Sequence, residues 1–166
     1  MKKTSKLAQC GIIAAIYASL TLALPGIGFG IFQLRLGEAM CVLPLFMPVA
    51  APGLTLGCFV ANAVGAAMGI TTVWDVLFGT LATAIAAYST RKIKKLWLAP
   101  LPAVISNAII IGTMLTCIMT GKVFSPTLIW NIALIGLSQL LSCYVLGLPL
   151  IRLIKRTKIA DLQKKD

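Results

Sequence analysis

The sequence predicts an all-α membrane protein, a single domain over 1–166 with about six transmembrane helices and both termini on the cytoplasmic side. Three observations lead there. Of the 166 residues, 59% are hydrophobic and 11% are charged, where a soluble domain carries about 25% charged residues. Mean hydropathy is +0.97. So few polar groups cannot solvate a globular surface, and the outside of the fold must face lipid. Finally, apolar runs near the ~20 residues needed to cross a bilayer alternate with Pro/Gly or basic breaks.

The first run, about Leu7–Leu24, ends at Pro25-Gly26 and is read as a retained helix, since no Ala-x-Ala cleavage site follows its basic start. A Gly-rich stretch, Gly26–Leu36, leads to a short second run over about Gly37–Val49, interrupted by Pro44 and Pro48. Ala51-Pro52-Gly53 turns the chain into the third, about Leu54–Ile70. The fourth, about Val73–Tyr88, stops at the basic cluster Arg91-Lys92-Ile93-Lys94-Lys95. The fifth spans about Ala99–Thr120 and the sixth about Pro126–Ile154, before a basic cytoplasmic tail over 155–166.

Charge sets the orientation. Basic residues gather at Lys2, Lys3 and Lys6, at 91–95, and from Arg152 onwards; only Arg35 and Lys122 fall elsewhere. Cytoplasmic loops carry the excess of Lys and Arg. An even number of spans must then separate neighbouring clusters, a condition that six helices meet and five do not. The net charge of +11 is assigned to this flanking role, so no nucleic-acid partner is expected. The five cysteines, Cys10, Cys41, Cys58, Cys117 and Cys143, stand singly among apolar neighbours and read as small buried hydrophobes. With no His and no paired cysteine spacing, no metal site or cofactor is expected.

Ionisable and polar groups inside a membrane are costly, and each is a functional candidate. Of the four acids, Asp161 and Asp166 belong to the tail. That leaves Glu38 and Asp75, each in the first turn of a helix descending from the outer side, with Arg35 three residues before Glu38. Asn131 starts the sixth helix, while Asn62, Asn107 and Gln139 lie nearer mid-membrane. Trp74, Trp130 and Phe32 join them on the outer side. These side chains are expected to line a cavity open to the outside. Carboxylates accept from a cationic or amidine-like edge, carboxamides read mixed donors and acceptors, and aromatic rings stack on flat ligands. A planar, nitrogen-rich ligand bearing an amine fits that inventory. Structural roles compete at every position: helix-dipole or Arg35 pairing for Glu38, helix entry for Asp75, interhelical hydrogen bonding for Asn62 and Asn107, and interfacial anchoring for the tryptophans.

On the first helix, Ala14 and Ala18 form a small-residue stripe at i, i+4 spacing, extended by Cys10, that suits close approach of another helix. The chain has no G-x-x-x-x-G-K-[ST] phosphate loop. No acid is placed deep in the cytoplasmic half of a helix for a proton relay. Uphill movement of a solute would draw its energy from another subunit, and no nucleophile–base pair suggests an enzyme.

The run Phe32-Gln33-Leu34-Arg35-Leu36-Gly37-Glu38-Ala39, with Val42-Leu43-Pro44-Leu45, resembles the signature of the QueT-like family of queuosine-precursor transporters. So do Pro52-Gly53-Leu54, Gly57-Cys58, Ala61-Asn62 and the block Asp75–Thr83. Trp97–Pro102 before Asn107 and Gly147-Leu148-Pro149-Leu150 extend the likeness over nearly the whole chain. The resemblance implies a substrate-binding component of an energy-coupling-factor importer: a six-helix bundle that docks on a shared transmembrane subunit driven by two cytoplasmic ATPases. It implies a 7-deazaguanine ligand, such as 7-aminomethyl-7-deazaguanine or queuine. It also implies that Ala14 and Ala18 are the docking surface. Glu38 would then bind the donor edge of the base, Asp75 or Gln139 a second donor, and Trp74 or Trp130 would stack.

Overall fold

The computed structural model describes residues 3–29 and 33–156; Phe32 and the tail acids Asp161 and Asp166 lie outside them. The first helix, α1, runs Lys3–Leu22 and gives way to the single turn α2, Pro25–Gly28. The Pro-bearing second run folds as a 3-10 helix, Leu36–Leu45, carrying Pro44 near its end. Pro44 has no amide to donate, and the chain closes on i→i+3 bonds such as Phe46 N–H to the Leu43 carbonyl at 2.9 Å.

Helix α3, Ala50–Ala67, takes Pro52 in its first turn, where a missing N–H is no loss. A π-helical segment, Asp75–Gly79, continues into α4, Thr80–Thr90. A 3-10 turn, Leu96–Leu98, then leads to α5, Leu101–Thr120. This helix stops where Gly121 takes the left-handed conformation at φ 68° and donates its amide to the Cys117 carbonyl. The last run is helical throughout: α6, Thr127–Leu140, a π-helical segment, Leu141–Leu146, and α7, Gly147–Arg156.

Four helical stretches among the described residues are long and apolar enough to cross a membrane: Lys3–Leu22, Ala50–Ala67, Leu96–Thr120 and Thr127–Arg156. The last has 30 residues, about 45 Å of helix against a hydrocarbon core of about 30 Å. Its end, with Lys155 and Arg156, therefore reaches beyond the hydrocarbon. The 3-10 helix is the interior element, touching α1, α3, α4 and α7.

Glycine sets the closest helix contacts. A Cβ on Gly57 of α3 would fall 2.8 Å from the Ala14 carbonyl oxygen and 2.9 Å from the Tyr17 Cβ. On α5, a Cβ at Gly112 would fall 2.9 Å from the Ile132 Cα of α6. Backbones this close gain van der Waals contact that lipid cannot match, which is how helices associate in a bilayer.

This packing turns the small-residue stripe of α1 toward α3. Ala14 and Ala18 are buried against the bundle and do not offer a free surface. The face of α1 turned outward instead presents Gly11, Ala15 and Ser19, also small and also four residues apart. Two such stripes run side by side on α1, and Gly53 and Gly57 on α3 select the one that packs inward.

Candidate functional site

Glu38 lies in the first turn of the interior 3-10 helix and is 3% exposed. Tyr17 of α1 donates its hydroxyl to Glu38 Oε1 at 2.6 Å, short enough for a charge-assisted bond. Arg35 is also 3% exposed. It donates Nε to the Gly28 carbonyl at 3.0 Å and stacks 4.9 Å above the Phe29 ring. Its Nη2 is buried with no acceptor.

Asn62 of α3 is fully buried. Its amide donates to the Asp75 carbonyl at 3.0 Å and to Cys58 Sγ at 3.3 Å, while its Oδ1 receives no donor. Thr83 of α4 donates to the same sulfur at 3.2 Å. Gly79 is where these groups meet: a Cβ there would lie 2.6 Å from Asn62 Nδ2 and 4.0 Å from Arg35 Nη1. It closes the π-helical segment, whose extra residue per turn is a recurrent feature of functional sites. Most buried polar groups find partners, so a buried donor on Arg35 and a buried acceptor on Asn62 each point to a partner that the described residues do not supply.

The other candidates are placed differently. Asp75 Oδ2 accepts from the Thr72 amide at 3.0 Å and hydroxyl at 2.8 Å, and Thr72 Oγ1 accepts weakly from the Asp75 amide at 3.4 Å. This reciprocal pair is a capping box that starts the fourth helical run. Asn107 donates to Gln139 Oε1 at 3.2 Å across α5 and α6, and Asn131 donates to Thr116 Oγ1 at 2.9 Å across the same pair. Trp74 and Trp130 are 55% and 66% exposed. Their amphipathic rings suit the membrane–water boundary. The structure thus joins Glu38, Arg35 and Asn62, while the tryptophans are exposed and Asn131 is bonded to Thr116.

Two spaces among the described residues bear on the site. The void beside Glu38 is only about 10 Å³, enclosed by Tyr17, Cys41, Leu54, Thr83 and Ala86 among others. That is near the lower limit for one water. A larger concavity of about 640 Å³ opens on the flank between α4 and α5, but Trp74, Phe78, Leu81, Ile109, Met114 and Ile118 make it apolar.

A family model described as QueT transporter matches residues 7–156. The chain belongs to the QueT transporter family. No curated protein and no solved structure matches it. Membership makes the chain a membrane transporter protein and accords with its apolar helices. Within this QueT-family chain, three groups escaped sequence reasoning. Tyr17 sits in an apolar run and reads as core, Cys58 as a small hydrophobe, and Thr72 as a loop residue. Only Thr72 carried a signal, its three-residue spacing to Asp75.

The capping box gives a clean prediction. Thr72→Ala should cost about 1 kcal/mol of stability, a fall of roughly 2–4 °C in Tm, with ligand affinity unchanged. A thermal melt paired with a binding titration checks both halves. A large loss of affinity would show that the Asp75 carboxylate also takes part in binding.

Proposed function

We propose that the chain is the membrane-embedded substrate-binding subunit of an importer, capturing a 7-deazaguanine precursor of queuosine from outside the cell. The bundle crosses the bacterial cytoplasmic membrane six times, the interior 3-10 helix and the run ending in α4 supplying two of the crossings. Both termini face the cytoplasm. Energy comes from a separate transmembrane coupling subunit and its two ATPases, since the chain has no phosphate loop.

The observation that carries this reading is the buried cluster of Glu38, Arg35 and Asn62 with one donor and one acceptor unmet. Burying charged and polar groups without partners costs several kcal/mol in a membrane interior. A guanine-like base offers what the cluster lacks: a carbonyl for Arg35 Nη2, an N–H for Asn62 Oδ1 and an amine for Glu38. The Asn107–Gln139 pair belongs to the next layer, reached through Cys143, which lies 3.6 Å from Gln139 Oε1 and contacts Cys41 on the void's wall.

Docking on the coupling subunit is assigned to the outward stripe Gly11, Ala15 and Ser19, flanked by exposed Ile12 and Ile16. A scaffold reading draws support from the Asn107–Gln139 and Asn131–Thr116 pairs, which tie α5 to α6. It leaves the unmet groups on Arg35 and Asn62 without explanation.

The deciding experiment is thermal stability of the detergent-purified protein with deazaguanines, guanine and unrelated vitamins. A ligand at 100 times its dissociation constant adds about 2.7 kcal/mol. A selective rise in Tm with one deazaguanine supports the assignment. Folded protein that responds to none of them refutes it.

A further inference from the structure

At the opposite end of α4 from Asp75, the helix runs out into a strongly basic loop. Residues 91–95 contain Arg91, Lys92, Lys94 and Lys95 and no acid. The acids of the described residues, Glu38 and Asp75, are both buried elsewhere. Among the described residues, the positive charge of this loop therefore has no acidic partner.

The loop is held in place. Lys92 N–H bonds to the Ser89 carbonyl at 3.0 Å and Ile93 N–H to the Thr90 carbonyl at 3.1 Å. Thr90 Oγ1 donates to the Ala99 carbonyl at 3.2 Å, tying the end of α4 to the start of α5. Trp97, 60% exposed on the same connection, marks this level as the membrane boundary.

Beneath the charges lies a groove of about 610 Å³ lined by Ile85, Tyr88, Ser89, Arg91 and Lys92. Its composition is graded. Ile85 and Tyr88 form an exposed apolar wall on the flank of α4, Arg91 is stacked 5.6 Å above the Tyr88 ring, and Ser89 adds a hydroxyl between them. From wall to rim, the groove changes from hydrocarbon-compatible to phosphate-compatible.

We infer that this groove seats a phospholipid with an anionic headgroup. The phosphodiester oxygens accept from Arg91, Lys92 and Ser89, and the upper acyl chain lies along Tyr88 and Ile85. Charge complementarity selects the lipid: a zwitterionic headgroup would bring its own cation against Lys92. Basic residues at a membrane surface each contribute about 1 kcal/mol toward anionic lipid, roughly five-fold in affinity. The inference does not depend on the substrate.

Native mass spectrometry of the detergent-purified protein tests it, with phosphatidylglycerol, phosphatidylcholine of the same chains, and inorganic phosphate as probes. Wild type should retain phosphatidylglycerol at least ten-fold better than phosphatidylcholine. Arg91→Gln with Lys92→Gln should lower that retention roughly 25-fold. Arg152→Gln with Lys155→Gln, which removes as much charge from α7, should leave it within two-fold. Tyr88→Leu keeps an apolar wall but removes the platform for Arg91, and should lower retention several-fold. Melts in lipid-free detergent verify folding, and Tyr88→Leu carries the test should the double variant not fold. Equal retention of the two lipids, equal loss from both charge-removing variants, or full displacement by inorganic phosphate would each overturn the inference.

Discussion

Replacing Glu38 by Gln is expected to weaken binding of an amine-bearing deazaguanine by roughly 10- to 100-fold while leaving the protein folded. The substitution keeps shape and an oxygen that can accept from Tyr17, whose hydroxyl lies 2.6 Å from Glu38 Oε1. What it removes is the charge. A hydrogen bond to a charged group is worth about 1.5–3 kcal/mol, which sets the size of the loss. Calorimetry on wild type and variant, with each base in its aminomethyl and unsubstituted forms, separates the contributions. The penalty should be concentrated on the form that carries the amine. An equal penalty on both forms would place the amine elsewhere and leave Glu38 facing the ring. Unchanged affinity for both would remove Glu38 from the site.

The second large effect concerns stability. Gly57→Leu should cost about 3 kcal/mol or more, because the added side chain meets backbone and not a movable tip. Its Cβ alone would fall 2.8 Å from the Ala14 carbonyl oxygen and 3.1 Å from the Ala14 Cα. In a chain of this size that is a drop of roughly 10 °C in Tm. Gly11→Leu on the outward face of α1 provides the contrast, since a Cβ there meets nothing within 4 Å. That variant should melt like wild type, bind ligand normally and fail to co-purify with the coupling subunit. Melting of Gly57→Leu at the wild-type temperature would contradict the observed α1–α3 packing. Normal co-purification of Gly11→Leu would move the docking surface off this face.

Helices announced themselves in the sequence where punctuation was chemical. Pro25-Gly26 stops the first, the cluster at 91–95 stops the fourth, and Gly121 caps the fifth, all close to the observed ends. The candidate site was half legible. Glu38, Arg35 and Asn62 were conspicuous because polar groups are rare in this chain, and rarity survives without knowledge of packing. Which polar groups share a place was not legible. Asn131 and Asn62 look alike in sequence, yet one bonds Thr116 and the other keeps a free acceptor. The facing of α1 was hidden for a related reason: its two small stripes are nearly equivalent until the glycines of α3 are set opposite one of them. Tyr17 escaped because a hydroxyl at the tip of an aromatic ring is silent in any hydropathy pattern.

The winding of Leu36–Leu45 also sets a distance. Ten residues in 3-10 geometry extend about 20 Å, where the same ten as an α-helix would extend about 15 Å. The segment that carries Glu38 is thus drawn out by about a third of its α-helical length, and it lies in the middle of the bundle where every neighbour would feel it shorten. Rewinding to α would pull the two ends together by about one helical turn and rotate Glu38 about the axis in the same stroke. The bundle therefore contains, in the residues that bear its carboxylate, a screw that couples travel along the helix axis to the direction a side chain faces.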